Sequence, residues 1–407
     1  MINTEWPDGE TQPLHSSGSR RAPPVLSSIL HVTAPLCSMG PVIAPTAMRL
    51  VGWSFPLFMA VVLSLEALVS TLVTRSLYNA HRMRVLKSSC DVVESLTLRG
   101  WSRPLTAAVH VAHTCLVNTA TCVVISACIN ITSWDSRDCF IGIILALGAI
   151  VPLYSRQCVL YVSSACTLIV LGSLITMPLS QATPHHVGER AGLQWSNMSA
   201  ALCLIAFAFE VGPHQYIAAE GEFSTESGFP FVSTAAHGLA FTVNTILCVI
   251  AYIVFGESIV TPVTRNMDPG VWMDTVKAIV AINAALWYGT RLAAAWDLVE
   301  EEAGIALDGA VPKLRSWKRI VIYWAVVRIP LVAAPIVIPM MVPHQHVLLL
   351  VAGGSALMIN IAIPMIVCGC LLWRRVNIFV KGLLCVVPVA ILGVCLCVIA
   401  SNRPVIA

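Results

Sequence analysis

The run 201–222, ALCLIAFAFEVGPHQYIAAEGE, places an acid, a glycine and a proline inside an apolar stretch, with Glu210 just ahead of Gly212 and Pro213. A carboxyl group in an apolar interior is a candidate for picking up and releasing a proton, because loss of water destabilises its charged form. Proline removes a backbone donor and glycine weakens a helix, so carbonyls freed here need new partners. Broken helices at membrane depth present backbone groups and helix ends on which small molecules and ions bind. His214 follows Glu210 by four residues, on the same face of a continuing helix, and imidazole is suited to proton exchange near neutral pH. The plainer alternatives are a proline kink with Glu210 hydrogen-bonded inside the bundle, and His214 at a solvated mouth.

Other ionisable residues share this depth. Glu66 sits in VVLSLEALVSTL, and its neighbours one turn away (Val62, Leu63, Val69, Ser70) offer no charge partner. Arg291 and Arg328 are the deep basic residues, and an acid such as Glu66, Glu210 or Asp297 would neutralise one of them across the bundle. For Arg291 the competing role is to anchor a carboxylate from outside the protein. Glu300, Glu301 and Glu302 read as a solvated helix end. The chain has no GxxxxGK[ST] phosphate loop, no HExxH and no GxSxG, so catalysis is not expected. Its 15 cysteines are scattered without paired CxxC or Cys/His ligand spacing, and read as small apolar packing residues, with no metal or cofactor implied.

Positioning such residues requires a membrane framework. The chain is 57% hydrophobic and 11% charged, against about a quarter charged in ordinary soluble proteins, and its mean hydropathy is +0.81. Eleven apolar stretches are candidates to cross a bilayer, the fourth of them short: 26–48, 52–74, 105–130, 139–154, 158–179, 199–221, 233–255, 272–297, 320–342, 347–372 and 380–400. This predicts an all-α multi-pass membrane protein, because alternating barrel strands are absent from the sequence. The basic clusters Arg82–Arg84–Lys87, Lys313–Arg315–Lys318–Arg319 and Arg374–Arg375–Lys381 fall on the same side as the N-terminus. The other side holds Arg49, Arg137, Arg190, Arg265, Lys277 and Arg403. The positive-inside rule then sets the N-terminus in the cytosol and the C-terminus outside. Asn130-Ile-Thr132 and Asn197-Met-Ser199, both glycosylation acceptor patterns, fall on the outer side in that arrangement. Residues 1–24 are polar and rich in Ser, Gly and Pro, and read as a disordered cytosolic tail before a membrane domain at 25–407.

Several stretches resemble the amino acid/auxin permease family, and within it most nearly the proton-coupled and vesicular inhibitory amino acid transporters. Ser27–Trp53 (SSILHVTAPLCSMGPVIAPTAMRLVGW) is similar to that family's first helix, with a break and a proline ahead of a Gly-Trp turn. Phe207–Glu222 resembles its FAFEG…P…E sixth helix, and Ala251–Asn266 (AYIVFGESIVTPVTRN) its seventh-helix exit. The acidic turn that ends helix eight, at Leu292–Glu302, and the stretch Lys318–Pro364 with its Gly354-Ser355 pair also match. The resemblance implies a five-plus-five inverted repeat with helices one and six broken at the substrate site. It implies a secondary active transporter of amino acids or related small amines, driven by protons through alternating access, in a plasma or intracellular vesicle membrane. Its partners would be the substrate, protons and lipid, with no nucleic acid. Carried onto this chain, Ser38, Met39, Gly40, Phe207, Ala208 and Phe209 would line the substrate site, while Glu210, His214 and Glu66 are the proton-coupling candidates.

The first-helix break departs from the family pattern. The run Pro35-Leu-Cys37-Ser38-Met39-Gly40-Pro41 has one glycine where the family usually has a Gly-x-Gly-like run. Pro41 has no amide hydrogen to offer, and Met39 adds bulk. Two readings stay open: a substrate unlike the common α-amino acids, or a membrane scaffold or sensor that keeps the fold without transport.

Overall fold

The computed structural model describes residues 25–81, 102–129, 156–181, 194–210, 228–302, 324–342, 345–373 and 376–400. Among them all regular structure is helical. In chain order the helices are α1 (Val25–Leu36), α2 (Gly40–Val51), α3 (Phe55–His81), α4 (Ser102–Ile129), α5 (Arg156–Gln181) and α6 (Met198–Ala208). They continue with α7 (Gly228–Phe255), α8 (Val271–Glu302), α9 (Ile329–Met341), α10 (Gln345–Ala356), α11 (Ile363–Leu372) and α12 (Ile378–Ala400).

Six helical runs are long and apolar enough to cross a membrane: those of α3, α4, α7, α8, α12, and α10 continued into α11. The pair α1 and α2 passes the same test as one span bent by 52°, and shorter apolar helices occupy α5, α6 and α9. Ten of the eleven expected spans are thus represented, and the protein is an all-α, multi-pass membrane protein. The fourth span at 139–154, the tail 1–24 and the residues after Glu210 in the sixth span lie outside the described residues.

Prolines set where these helices stop and bend. A helix running unbroken through Pro41 would drive its ring against the Cys37 carbonyl and lose that carbonyl's donor. The chain instead ends α1 at Leu36 and restarts at Gly40, with Pro41 in the first turn, where a missing N–H costs nothing. Two π-helical turns, Trp324–Arg328 and Leu357–Ala362, each lead into a proline, Pro330 and Pro364. The wider turn relieves the clash between each ring and the carbonyl four residues earlier.

In a bilayer, close backbone approach and interhelical hydrogen bonds hold helices together. Helix α6 lies between α2 and α10, and α4 packs on α8, α9 and α10. A Cβ added at Gly353 of α10 would stand 1.9 Å from the Cys203 carbonyl oxygen of α6, so the two backbones touch there. Asn283 of α8 accepts from Ser163 Oγ at 2.6 Å and donates to Thr167 Oγ1 at 3.1 Å, tying α8 to α5. Ser70 and Ser233 join α3 to α7 at 2.6 Å. At one end of α2, Arg49 Nη1 donates to the Ile259 carbonyl at 2.7 Å, which ties the first span to the loop after α7. Helix α12 is the peripheral element: 17% of its apolar window is buried, and the rest is left to lipid.

Candidate substrate and proton site

The two expected breaks meet. Helix α2 packs along α6, and the hydrogen face of Gly40 lies on the Phe209 ring, 2.8 Å from Cε1 to an ideal Cβ position. Ser38 and Met39 between α1 and α2, and Phe207, Ala208 and Phe209 at the end of α6, are all buried. The six residues expected to line a substrate site are therefore brought together around one junction.

Backbone groups at this junction are only partly used. The Cys37 N–H donates to Thr33 O at 2.9 Å and the Ser38 N–H to Pro35 O at 3.1 Å, while Met39 O accepts from Val42 and Ile43. Among the described residues, the amides of Met39 and Gly40 donate no backbone hydrogen bond. They stand at the N-terminus of α2, where the helix dipole favours negative charge. Asn244 of α7 faces them. Its Nδ2 donates to Ala240 O at 2.8 Å and to Cys37 Sγ at 3.4 Å, which fixes the amide's orientation and turns Oδ1 toward Gly40. That oxygen is buried without a partner, 2.9 Å from the Gly40 Cβ position. The junction thus combines free donors with one free acceptor. Asn244 was not legible beforehand, since a lone asparagine in an apolar span has no spacing that marks it.

Glu210 lies immediately past the helix end, fully buried. The Phe209 N–H still donates to Ile205 O at 3.1 Å, and the Glu210 N–H to Phe207 O at 3.4 Å, closing the last turn of α6. Arg291 of α8 takes over from there. Its Nε is 2.7 Å from Glu210 Oε2, an ion pair in which the N–H is not aimed along the contact. Its Nη2 donates to the Glu210 backbone carbonyl at 3.5 Å and its Nη1 to Thr121 Oγ1 of α4 at 3.5 Å. One guanidinium therefore neutralises the acid and holds a carbonyl that the helix break frees. Of the acids weighed as partners for Arg291, the structure selects Glu210; the Asp297 side chain is outside the described residues. Arg328, the other deep cation, lies 4.7 Å above the Trp296 ring.

A second basic group meets the same carboxyl. His113 of α4 puts Nε2 3.5 Å from Glu210 Oε1, with both side chains buried. Its Nδ1 is 3.0 Å from Ser355 Oγ of α10. Sequence reasoning missed His113, although an ionisable residue inside an apolar span is itself the signal. Glu66 of α3 is buried with Oε2 unpartnered and lies within electrostatic reach of Glu210. His214 lies outside the described residues. Among the described residues no three His, Cys, Asp or Glu side chains gather as a metal site, and the cysteines are unbridged.

A bundle of apolar helices, interrupted twice where buried polar groups converge, is the architecture of a membrane transporter. The sequence matches the family described as transmembrane amino acid transporter protein over residues 24–400. The chain belongs to that family, whose members are transporters rather than enzymes. No curated protein matches the sequence. Among solved structures, it is similar to the manganese transporter of Eremococcus coleocola, crystallised in complex with an aromatic bis-isothiourea substituted compound. The identity is 11%, the match covers 94% of this chain and 95% of that one, and the TM-score is 0.46.

Proposed function

We propose that this protein is a proton-coupled secondary transporter of amino acids or related small amines, working by alternating access between the breaks of spans one and six. The observation that carries the reading is the junction itself: the amides of Met39 and Gly40 make no backbone hydrogen bond, and the buried Asn244 Oδ1, also without a partner, packs against Gly40. Amides at a helix N-terminus suit a substrate carboxylate, and an uncharged carbonyl oxygen suits an ammonium group. Those are the two ends of an amino acid. Phe207, Ala208 and Phe209 close the opposite side. Arg291 is engaged with Glu210, which leaves the carboxylate to the α2 amides.

Coupling to protons rests on Glu210, with Glu66 close enough to feel its charge. In the scheme, a five-plus-five repeat rocks about this junction, the N-terminus is cytosolic, and the host membrane is the plasma membrane or an intracellular vesicle. The scaffold reading draws on one observation, the burial of Met39 beside a proline in the break.

Substrate-dependent stabilisation separates the two. The purified protein in detergent is expected to gain stability with one member of an amino acid panel, by about 2.7 kcal/mol at a hundred times the dissociation constant. Gly40→Ala should abolish that gain, and it should also lower the ligand-free melting temperature because Phe209 and Asn244 are both buried. The added methyl would stand 2.8 Å from Phe209 Cε1 and 2.9 Å from Asn244 Oδ1, so both side chains must shift where the substrate is proposed to sit. A panel with no stabilising member would favour the scaffold, and stabilisation that survives Gly40→Ala would move the substrate elsewhere.

A further inference from the structure

The hydrogen bonds around His113 fix which of its nitrogens carries a proton. Ser355 Oγ–H donates to the Ala352 carbonyl at 2.7 Å, so this hydroxyl has only its lone pairs left for the imidazole. His113 Nδ1, 3.0 Å away, must then be the donor. In the neutral ring Nε2 is consequently a bare acceptor. It is buried without a hydrogen-bond partner and faces Glu210 Oε1, another acceptor, across 3.5 Å. Two acceptors opposed at a buried contact repel, and one proton between them removes the conflict.

We propose that His113 and Glu210 hold the coupling proton jointly, in the gap between Nε2 and Oε1, with Ser355 as the positioning residue that sets the tautomer. This rests on the proton-coupled reading above, in which Glu210 alone was the carrier. When the proton arrives from a hydronium ion at the open side, an Nε2–H bond forms, an O–H bond of the hydronium breaks, and water leaves. The ring becomes imidazolium, and the His113–Glu210–Arg291 group goes from neutral to a charge of about +1. The new cation attracts Oε1 and repels Arg291, the residue that also holds the Glu210 backbone carbonyl at the end of α6. Proton arrival thereby acts on the helix break, the element that must move if the site is to open.

Among the described residues, the groups near the gap from each packed element are few. Arg291 comes from α8, where Tyr288 is engaged with the Val332 carbonyl. Glu210 comes from the end of α6, and Glu66 from α3. Helix α10 offers Ser355, with His346 two turns away along it, and α9 has no titratable residue. His110 precedes His113 by one turn on α4 itself.

Infrared difference spectra of the purified protein, recorded across a pH titration, test the shared proton without requiring transport. The expected result is an imidazole band and a carboxyl band with a common midpoint. His113→Asn, whose amide still reaches Ser355, should remove the first and shift the second by about one pH unit or more. Ser355→Ala should shift the common midpoint with the imidazole retained, and it serves if the His113 variant does not fold. A carboxyl band whose midpoint is unmoved in both variants overturns the proposal. In proteoliposomes, uptake by His113→Asn should lose the pH dependence seen in the parent protein; retention of that dependence also overturns it. Parent uptake that ignores the gradient would instead refute the proton-coupled reading, while the spectra still report on the shared proton.

Discussion

Replacing Arg291 by methionine is expected to lower stability by about 3–5 kcal/mol, the cost of leaving one buried charge without its partner. Arg291 contributes the 2.7 Å ion pair to Glu210 and also holds that residue's backbone carbonyl, so its loss strands a carboxyl and a carbonyl together. Thr121 Oγ1 would lose its donor from the guanidinium as well. The double variant Arg291→Met with Glu210→Leu should recover most of the loss, because two apolar side chains replace an ion pair at little net cost. Unfolding in detergent, followed by tryptophan fluorescence, measures both. A single variant within about 0.5 kcal/mol of the parent would contradict the claim that the pair is buried and mutually dependent. The stable double variant should not respond to a pH gradient, which separates the structural part of the pair from its part in coupling.

Gly353→Ala should cost about 3 kcal/mol, the upper end of ordinary overpacking. Its methyl would stand 1.9 Å from Cys203 O, 2.5 Å from Cys203 C and 3.0 Å from its Cα, and backbone cannot yield as a side chain does. Helices α6 and α10 would have to separate, and α6 carries the residues at the junction. Gly354→Ala is the control. There the nearest atoms are Cys395 Sγ at 3.5 Å and Cys203 Sγ at 3.8 Å, ordinary contact distances. Removing a helical glycine should then stabilise by roughly 0.5–1 kcal/mol. Apparent melting temperatures of the two variants should move in opposite directions, and equal shifts would contradict the observed packing of α10 on α6.

Breaks were legible because proline acts locally. Pro41 weighs against a continuous helix on steric grounds that need no tertiary information, and with Gly40 beside it points to an interrupted span. Pro35, Pro45, Pro335, Pro339 and Pro388 are nevertheless carried inside helices, and Pro213 lies outside the described residues. Membrane class follows as directly, since apolar length is a one-dimensional property. Pairings were not legible, because they join residues distant in the chain. Arg291 reaches across 81 residues to the Glu210 carbonyl, and His113 meets Ser355 across 242. Composition limits Arg291 to a few acids but does not choose among them. The Gly354-Ser355 pair carried a family resemblance without revealing that Gly353 next to it permits the α6 contact, or that Ser355 orients an imidazole. Asn244 was hidden for the opposite reason. One amide in an apolar span reads as packing until the free amides of α2 are seen opposite it.

The measurement that bears most directly on the account is uptake of a radiolabelled amino acid panel into proteoliposomes under an imposed pH gradient, comparing the parent protein with Glu210→Gln. The account predicts gradient-dependent uptake of at least one amino acid by the parent, reduced to the leak level in the variant. Gradient-dependent uptake that persists unchanged in Glu210→Gln would contradict it.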